Sequence, residues 1–300
     1  AMGDTKSIRN VLIFSFFLNI ILNPLFIFGY GIIPAMGMKG IAVSTIVSQL
    51  IGTIYIIYKA SKTKLKDYLY IKCFLPKLQI LKDLLKQGLP ASLGMMMISV
   101  GIFIILFFIS QYGDLALAGY GTAIRYEQLY LLPVLGLNTA VLSMTGQNFG
   151  AKNIERVNEI YNKALQFGCT FMFFSAFIIF FTAEFAVSLF TDNVEVIKYG
   201  TTYLQITALM EPIYPIFFIS NALIQGLKKA NIVMFLTLFR MVILPSIVLW
   251  FLIFYLNSSF SFVFWGLLLI NWIFGVFVLI FTKILIKNEM IILKLRENKI

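Results

Sequence analysis

Four charged side chains interrupt otherwise apolar stretches of this sequence: Arg125, Glu127, Glu211 and Arg240. A charge at the centre of a bilayer costs at least about 2.5–3.5 kcal/mol on insertion scales, so each needs a reason for its place. Glu211 is followed by Pro212 and Pro215. Each proline removes one helical hydrogen bond and frees a backbone carbonyl. A carboxylate beside freed carbonyls has the chemistry of a reversible proton or Na⁺ site. The same carboxylate could form an ion pair with Arg240 on a neighbouring helix. Both readings stay open and are compatible, since a carboxylate can exchange an arginine partner for a cation. Arg125 and Glu127, two residues apart, point about 200° away from each other on a helix and need separate partners. Glu127 is read as facing the interior and Arg125 as structural. Tyr126, Gln128, Asn138 and Asn271 are candidates for neutral polar lining or for interhelical hydrogen bonds. Met95, Met96 and Met97, with Phe103, Phe107 and Phe108, offer soft, polarizable surface suited to flat hydrophobic cations, or plain packing surface. Gly146 and Gly150, around Gln147, read as a helix end and tight turn.

The elements that must position these residues are membrane spans. Of the 300 residues 60% are hydrophobic and 12% charged, and the mean hydropathy is +0.91. A soluble domain carries roughly 25% charged residues. The apolar excess runs along the whole chain and cannot be one buried core. A helical span needs about 20 apolar residues, and eight runs qualify: about 10–30, 40–59, 87–110, 119–146, 163–187, 197–225, 231–256 and 261–284. Residues 60–86 differ, with Lys62, Lys64, Lys66, Lys72, Lys77, Lys82 and Lys86 spaced between apolar residues. That pattern predicts a basic amphipathic linker on a membrane surface.

Charge placement orients the spans. Of the 24 lysines and arginines, all except Lys39, Lys198, Arg125 and Arg240 fall at one set of span ends. Cytoplasmic loops carry the Lys/Arg excess, so both termini and the linker are expected to be cytoplasmic. The net charge of +11 therefore reports topology and anionic lipid, and no nucleic-acid partner is expected. With no His, imidazole catalysis and His-ligated metal are excluded. Cys73 and Cys169 form no metal spacing or redox pair, and a Gly-x-Ser-x-Gly elbow is absent. The expectation is a protein that is not an enzyme and has no cofactor or bound metal.

Several segments, taken in order, carry a family resemblance. Residues 1–6, Ala-Met-Gly-Asp-Thr-Lys, followed by Asn19-Ile20-Ile21-Leu22-Asn23-Pro24, resemble the turn and fifth helix of the MATE (multidrug and toxic compound extrusion) transporters. Pro34-Ala35-Met36-Gly37-Met38-Lys39-Gly40 resembles the loop into helix six, and Gly88-Leu89-Pro90-Ala91 the start of helix seven. Ile124-Arg125-Tyr126-Glu127 and Gly146-Gln147-Asn148-Phe149-Gly150 resemble helix eight and its cytoplasmic end. Gln225-Gly226 with Lys228 and Lys229 resembles the turn between helices ten and eleven, and it echoes the Gly3–Lys6 turn as a repeat would.

The resemblance implies an all-α polytopic membrane protein built as two six-helix lobes around a cavity. On it the chain holds helices five to twelve and lacks one to four. Residues 1–59 are the last two helices of the N-lobe, 60–86 the linker, 87–286 the six-helix C-lobe and 287–300 a cytoplasmic tail. Such a chain would be a fragment, inactive alone. The implied activity is cation-coupled (H⁺ or Na⁺) antiport that exports amphipathic or cationic drugs or metabolites by alternating access, as a monomer in a bacterial inner membrane. A lipid-linked oligosaccharide flippase shares the two-lobe plan but needs cations lining its cavity, and only Arg125 and Arg240 are available. A receptor-like protein that does not transport is a third class. In some branches of the family a cation site joins acids on helices seven, eight and ten. Here 87–110 has no acid, which leaves Glu127 and Glu211 as the candidates for cation coupling.

Overall fold

The computed structural model describes residues 5–31, 33–62 and 77–297. Their principal elements are helices: α1 (Thr5–Phe28), α2 (Met38–Ser61), α3 (Leu78–Ile109), α4 (Asp114–Gly150), α5 (Ile154–Ser188), α6 (Val194–Ala208), α7 (Tyr214–Gly226), α8 (Ala230–Leu238), α9 (Leu244–Trp250) and α10 (Phe260–Glu297). Among the described residues seven helical stretches are long and apolar enough to cross a membrane, and α6 with α7, bent by 44° at a short break, makes an eighth. Helices α8 and α9 belong to one such stretch, joined through a π-helical turn at Phe239–Ile243, with a second π turn at Phe251–Tyr255. Several helices run beyond the predicted span limits, because hydropathy marks the apolar stretch while the helix itself continues into polar flanks.

The chain divides into two compact units, Ala1–Leu81 and Lys82–Ile300. In the first, α1 and α2 form an antiparallel pair. The buried face of α2 is Gly40, Ser44, Ser48 and Gly52, a small residue at every fourth position. Small residues let helix backbones approach closely where lipid supplies no hydrophobic drive. A Cβ at Gly40 would meet the Phe26 carbonyl carbon at 2.5 Å, so only glycine fits. Ser44 donates to Asn23 Oδ1 and to the Ile41 carbonyl, which ties the polar groups of both helices together.

The second unit packs the remaining helices around two hydrophobic clusters. One joins Ala116, Tyr120 and Ala123 of α4 with Ala183, Leu204, Leu249 and Phe264. The other joins Val141, Val157 and Tyr161 with Phe217, Leu223 and Val278. Glu127, Glu211, Arg240 and Asn271 fall in sequence between the stretches that build the two clusters. Helix α3 begins at Leu78, ahead of the span limit of 87, so the last part of the expected linker is helical; residues 63–76 lie outside the described residues.

Two expectations are corrected here. The tail from 287 is not free of the fold, since α10 continues to Glu297. Ile286 is buried, Met290 packs on the second cluster, and buried Glu289 takes Lys229 Nζ at 2.6 Å. That ion pair holds the end of α10 to the turn between α7 and α8. Gly146 is not a turn residue: α4 runs through it and ends at Gly150. The left-handed position of that turn is Lys152, with φ 60°, and Lys228 (φ 61°) does the same after α7.

Candidate functional site

Glu211 stands at the break in the α6–α7 span, on a single 3-10 turn, Glu211–Ile213. Pro212 and Pro215 lack the N–H groups that a continuing α-helix needs there. Ile213 N–H bonds to the Met210 carbonyl at 3.0 Å, where an α-helix would have it serve Leu209. The freed Leu209 carbonyl is taken by Trp272 of α10, whose Nε1–H donates at 3.0 Å. Trp272→Phe keeps the ring and removes the donor, leaving that carbonyl unpaired at a helix break. We expect a loss of about 0.5–1.5 kcal/mol, seen as a lower thermal midpoint of the purified chain in detergent. An unchanged midpoint would show that another group serves Leu209.

The Glu211 side chain is 0% exposed, and neither carboxyl oxygen has a hydrogen-bond partner among the described residues. Glu127 is also buried, and Tyr203 of α6 donates its hydroxyl to Glu127 Oε2. Tyr120 and Phe264 pack edge-on against Tyr203, at 4.8 and 5.0 Å between centroids, and fix its ring.

Arg240 is carried by the π turn Phe239–Ile243, a local widening of the kind often found at functional sites. Pro245, four residues after Met241, offers no N–H to the Met241 carbonyl. Gly101 of α3 lies so close that a Cβ there would meet this carbonyl oxygen at 2.5 Å. The guanidinium is buried over the Phe217 ring at 4.1 Å and the Tyr214 ring at 5.3 Å. Its Nε donates to Asn271 Oδ1 at 3.0 Å, and Asn271 Nδ2 donates to the Leu267 carbonyl at 2.8 Å. Arg240 Nη1 is buried with no hydrogen-bond partner among the described residues.

The anticipated Glu211–Arg240 ion pair is therefore not formed. The ion pairs among the described residues are Arg156 and Lys163 with Glu159, and Lys229 with Glu289. The π turn, Asn271 and the rings of Tyr214 and Phe217 hold the guanidinium elsewhere.

The other candidates separate. Tyr126 joins a hydroxyl cluster with Tyr130 at 3.0 Å and Thr182 at 2.8 Å. Arg125 and Gln128 are exposed on α4 and Asn138 is half-buried there, so none of them joins the buried acids. Met95 and Met96 are exposed and Met97 is half-buried. Phe103 lines an open apolar groove with Phe107, Ile247 and Trp250, and the three methionines lie outside it. Sequence reasoning missed Trp272, Tyr203 and the stacking rings. An indole N–H, and a buried phenol such as that of Tyr203, seeks a polar partner, which was a signal for Trp272 and Tyr203, but the partner's identity depends on tertiary placement.

The chain resembles known proteins in sequence and in fold. A family model described as MatE matches residues 90–251, more than half of the chain. The chain belongs to the MatE family. The "Probable multidrug resistance protein YpnP" of Bacillus subtilis is 30% identical over 226 residues, 75% of this chain and 49% of that protein. The "Multidrug export protein MepA" of Staphylococcus aureus (strain MRSA252) is 27% identical over 255 residues, 84% of this chain and 54% of that protein. A solved MOP superfamily transporter from Pyrococcus furiosus superposes with a TM-score of 0.86 at 23% identity, covering 96% of this chain and 64% of that chain. At that identity the likeness speaks for the fold alone, and the fold is that of the MATE transporters. The chain spans about half the length of the curated relatives it matches. MatE proteins are transporters and not enzymes.

Proposed function

We propose that this MatE chain is the part of a multidrug exporter that couples transport to a cation. The observation that carries the reading is Glu211: a fully buried carboxyl with two unpartnered oxygens, at the one sharp break in a span among the described residues. A buried charge without partners is costly, so such a group favours taking up a neutralising proton or cation. Uptake at the junction of α6 and α7 changes what the break must accommodate, and a bent, proline-bearing segment is able to repack. Binding and release of H⁺ or Na⁺ would thereby bias two packings of the second unit, the basis of alternating access and antiport. The names of the curated relatives favour drugs as the exported substrates, and amphipathic or cationic ones are what the family resemblance implies. The placement of Lys and Arg favours a bacterial inner membrane with both termini cytoplasmic, and the protein is read as a monomer. The flippase alternative is weakened because Arg240 is buried under Tyr214 and Phe217, where it cannot line a cavity as a phosphate ligand.

The test uses the gene's full-length product in proteoliposomes loaded with ethidium. Efflux should follow an imposed H⁺ or Na⁺ gradient, stop when an ionophore collapses that gradient, and need no ATP. Ethidium movement indifferent to both gradients would overturn the coupling reading.

A further inference from the structure

Where α4 ends and α5 begins, a groove of about 230 Å³ runs between the two helices. Its apolar lining includes Leu137, Ala140 and Met144 of α4 and Ile160, Ala164 and Phe167 of α5. Its polar lining is Arg156, Glu159 and Lys163, all on the first three turns of α5. We propose that this groove is a site for one anionic phospholipid, its phosphate held by Arg156 and Lys163 and an acyl chain lying in the apolar part. The inference is separate from the coupling role given to Glu211.

The charges are arranged for an anion. Arg156 sits in the first turn of α5, where Asn153 Oδ1 accepts from its backbone N–H at 3.0 Å. Its Nη1 donates to Glu159, and Lys163 Nζ lies 2.6 Å from the other oxygen of the same carboxylate. Arg156 reaches one turn along α5 and Lys163 reaches one turn back, so two cations converge on one acid. The lining keeps one net positive charge. Exposed Lys152 and Glu155 lie just outside it and offset each other. Lys163 starts about 10 Å further along the helix than Arg156. It returns its ammonium toward the helix end, as long basic side chains do when they snorkel to a membrane interface. All three charged side chains are at least 41% exposed, so a phosphate can reach them.

The apolar part selects the rest of the ligand. Ala140 and Ala164 open a furrow bordered by the longer side chains of Leu137, Met144 and Phe167. Met144 and Phe167 are exposed, so the furrow presents apolar surface for an acyl chain to cover. A free phosphate ion gains nothing from that surface, and an amphipathic cation is repelled by the net positive mouth. A zwitterionic lipid brings an ammonium group that cancels the electrostatic gain. The Lys and Arg excess favours the cytoplasmic leaflet for this end of the helices. Basic pockets between spans on that side suit phosphate head groups.

The test is native mass spectrometry of the purified 300-residue chain in detergent, titrated with dioleoylphosphatidylglycerol or dioleoylphosphatidylcholine. The wild-type chain should hold one phosphatidylglycerol about fivefold more tightly than phosphatidylcholine, the effect expected of one net charge at a membrane surface. Arg156→Gln with Lys163→Gln should erase the preference, and Glu159→Gln should raise it about fivefold further. Lys287→Gln removes an exposed charge on α10 outside the groove and should change nothing. Ala140→Phe leaves every charge in place and fills the furrow. It should weaken phosphatidylglycerol binding about tenfold, as loss of a few buried acyl methylenes would. Equal retention of the two lipids by the wild-type chain overturns the proposal, and this arm needs no variant to fold. A preference that survives the double substitution, or drops as much with Lys287→Gln, would mark diffuse surface charge and overturns it. Full binding by Ala140→Phe, or displacement of the lipid by an equimolar amount of glycerophosphate, would reduce the site to a headgroup contact and overturns it too. A dimer without lipid adducts would give the groove to a second copy of the chain, which is also contrary to the proposal.

Discussion

Glu211→Gln is expected to leave the chain folded and to uncouple it. Glutamine matches the carboxyl in size, and its amide is neutral at every working pH. It therefore removes the cost of holding a charge at a site where neither oxygen has a partner. The thermal midpoint of the variant should be no lower than that of the wild-type chain. Transport should behave differently. If occupation of Glu211 by a cation biases two packings, that bias is a coupling free energy, and such couplings are worth about 5–150-fold. Gradient-driven ethidium efflux by the full-length product should fall about tenfold or more, while equilibrium binding of ethidium changes little. Undiminished driven efflux with Gln at 211 would remove Glu211 from the mechanism. A lowered midpoint would contradict the claim that its charge is uncompensated.

Gly200→Val should instead break the structure that presents Glu127. Helices α4 and α6 cross backbone to backbone at Gly119 and Gly200. A Cβ at Gly200 would lie 3.0 Å from the Gly119 carbonyl oxygen and 2.9 Å from Val187 Cγ1, and one at Gly119 would lie 2.8 Å from the Val196 carbonyl oxygen. At Gly200 the obstacles are both Val187 methyls and the Gly119 carbonyl; the β-branched Val187 side chain turns little and the carbonyl not at all, so the helices must separate. Gly200 lies one turn from Tyr203, and Gly119 lies about two turns from Glu127 on the facing helix. Separation pulls the phenol from the carboxyl. Overpacking costs about 1–3 kcal/mol, and an orphaned buried acceptor about 1–3 kcal/mol more. Together these should lower the thermal midpoint by many degrees. Gly136→Ala is the matched control, since nothing lies within 4 Å of a Cβ there. Its better helix propensity should leave the midpoint unchanged or higher. Equal effects of the two substitutions would show that the crossing has no special tightness.

The sequence was most informative where one property dominates over a long stretch. The eight spans were legible because each apolar run is long and the bilayer sets a length to compare it with. The break at Glu211 was legible because proline acts on its own backbone, whatever surrounds it. Glu127 and Glu211 were legible as candidates because charge inside a span is costly in any fold.

What stayed hidden depends on which helices face each other. The ion pair of Glu211 with Arg240 was a reasonable expectation from depth alone. Depth fixes position along the membrane normal but not the rotation of a helix about its axis, and one residue of π widening re-aims every side chain after it. So the tertiary structure decided that Arg240 lies on Tyr214 and Phe217 and donates to Asn271. It also decided that Trp272 serves the carbonyl freed at Leu209, and that Glu289, assigned to a tail, is buried against Lys229. By itself the sequence determined a polytopic helical membrane protein, its break and its two buried acids. Those features arise from interactions of each segment with the bilayer or with its own backbone. Partner choice was left to tertiary packing because it is set by contacts between segments distant in the chain, whose relative rotation no local pattern encodes.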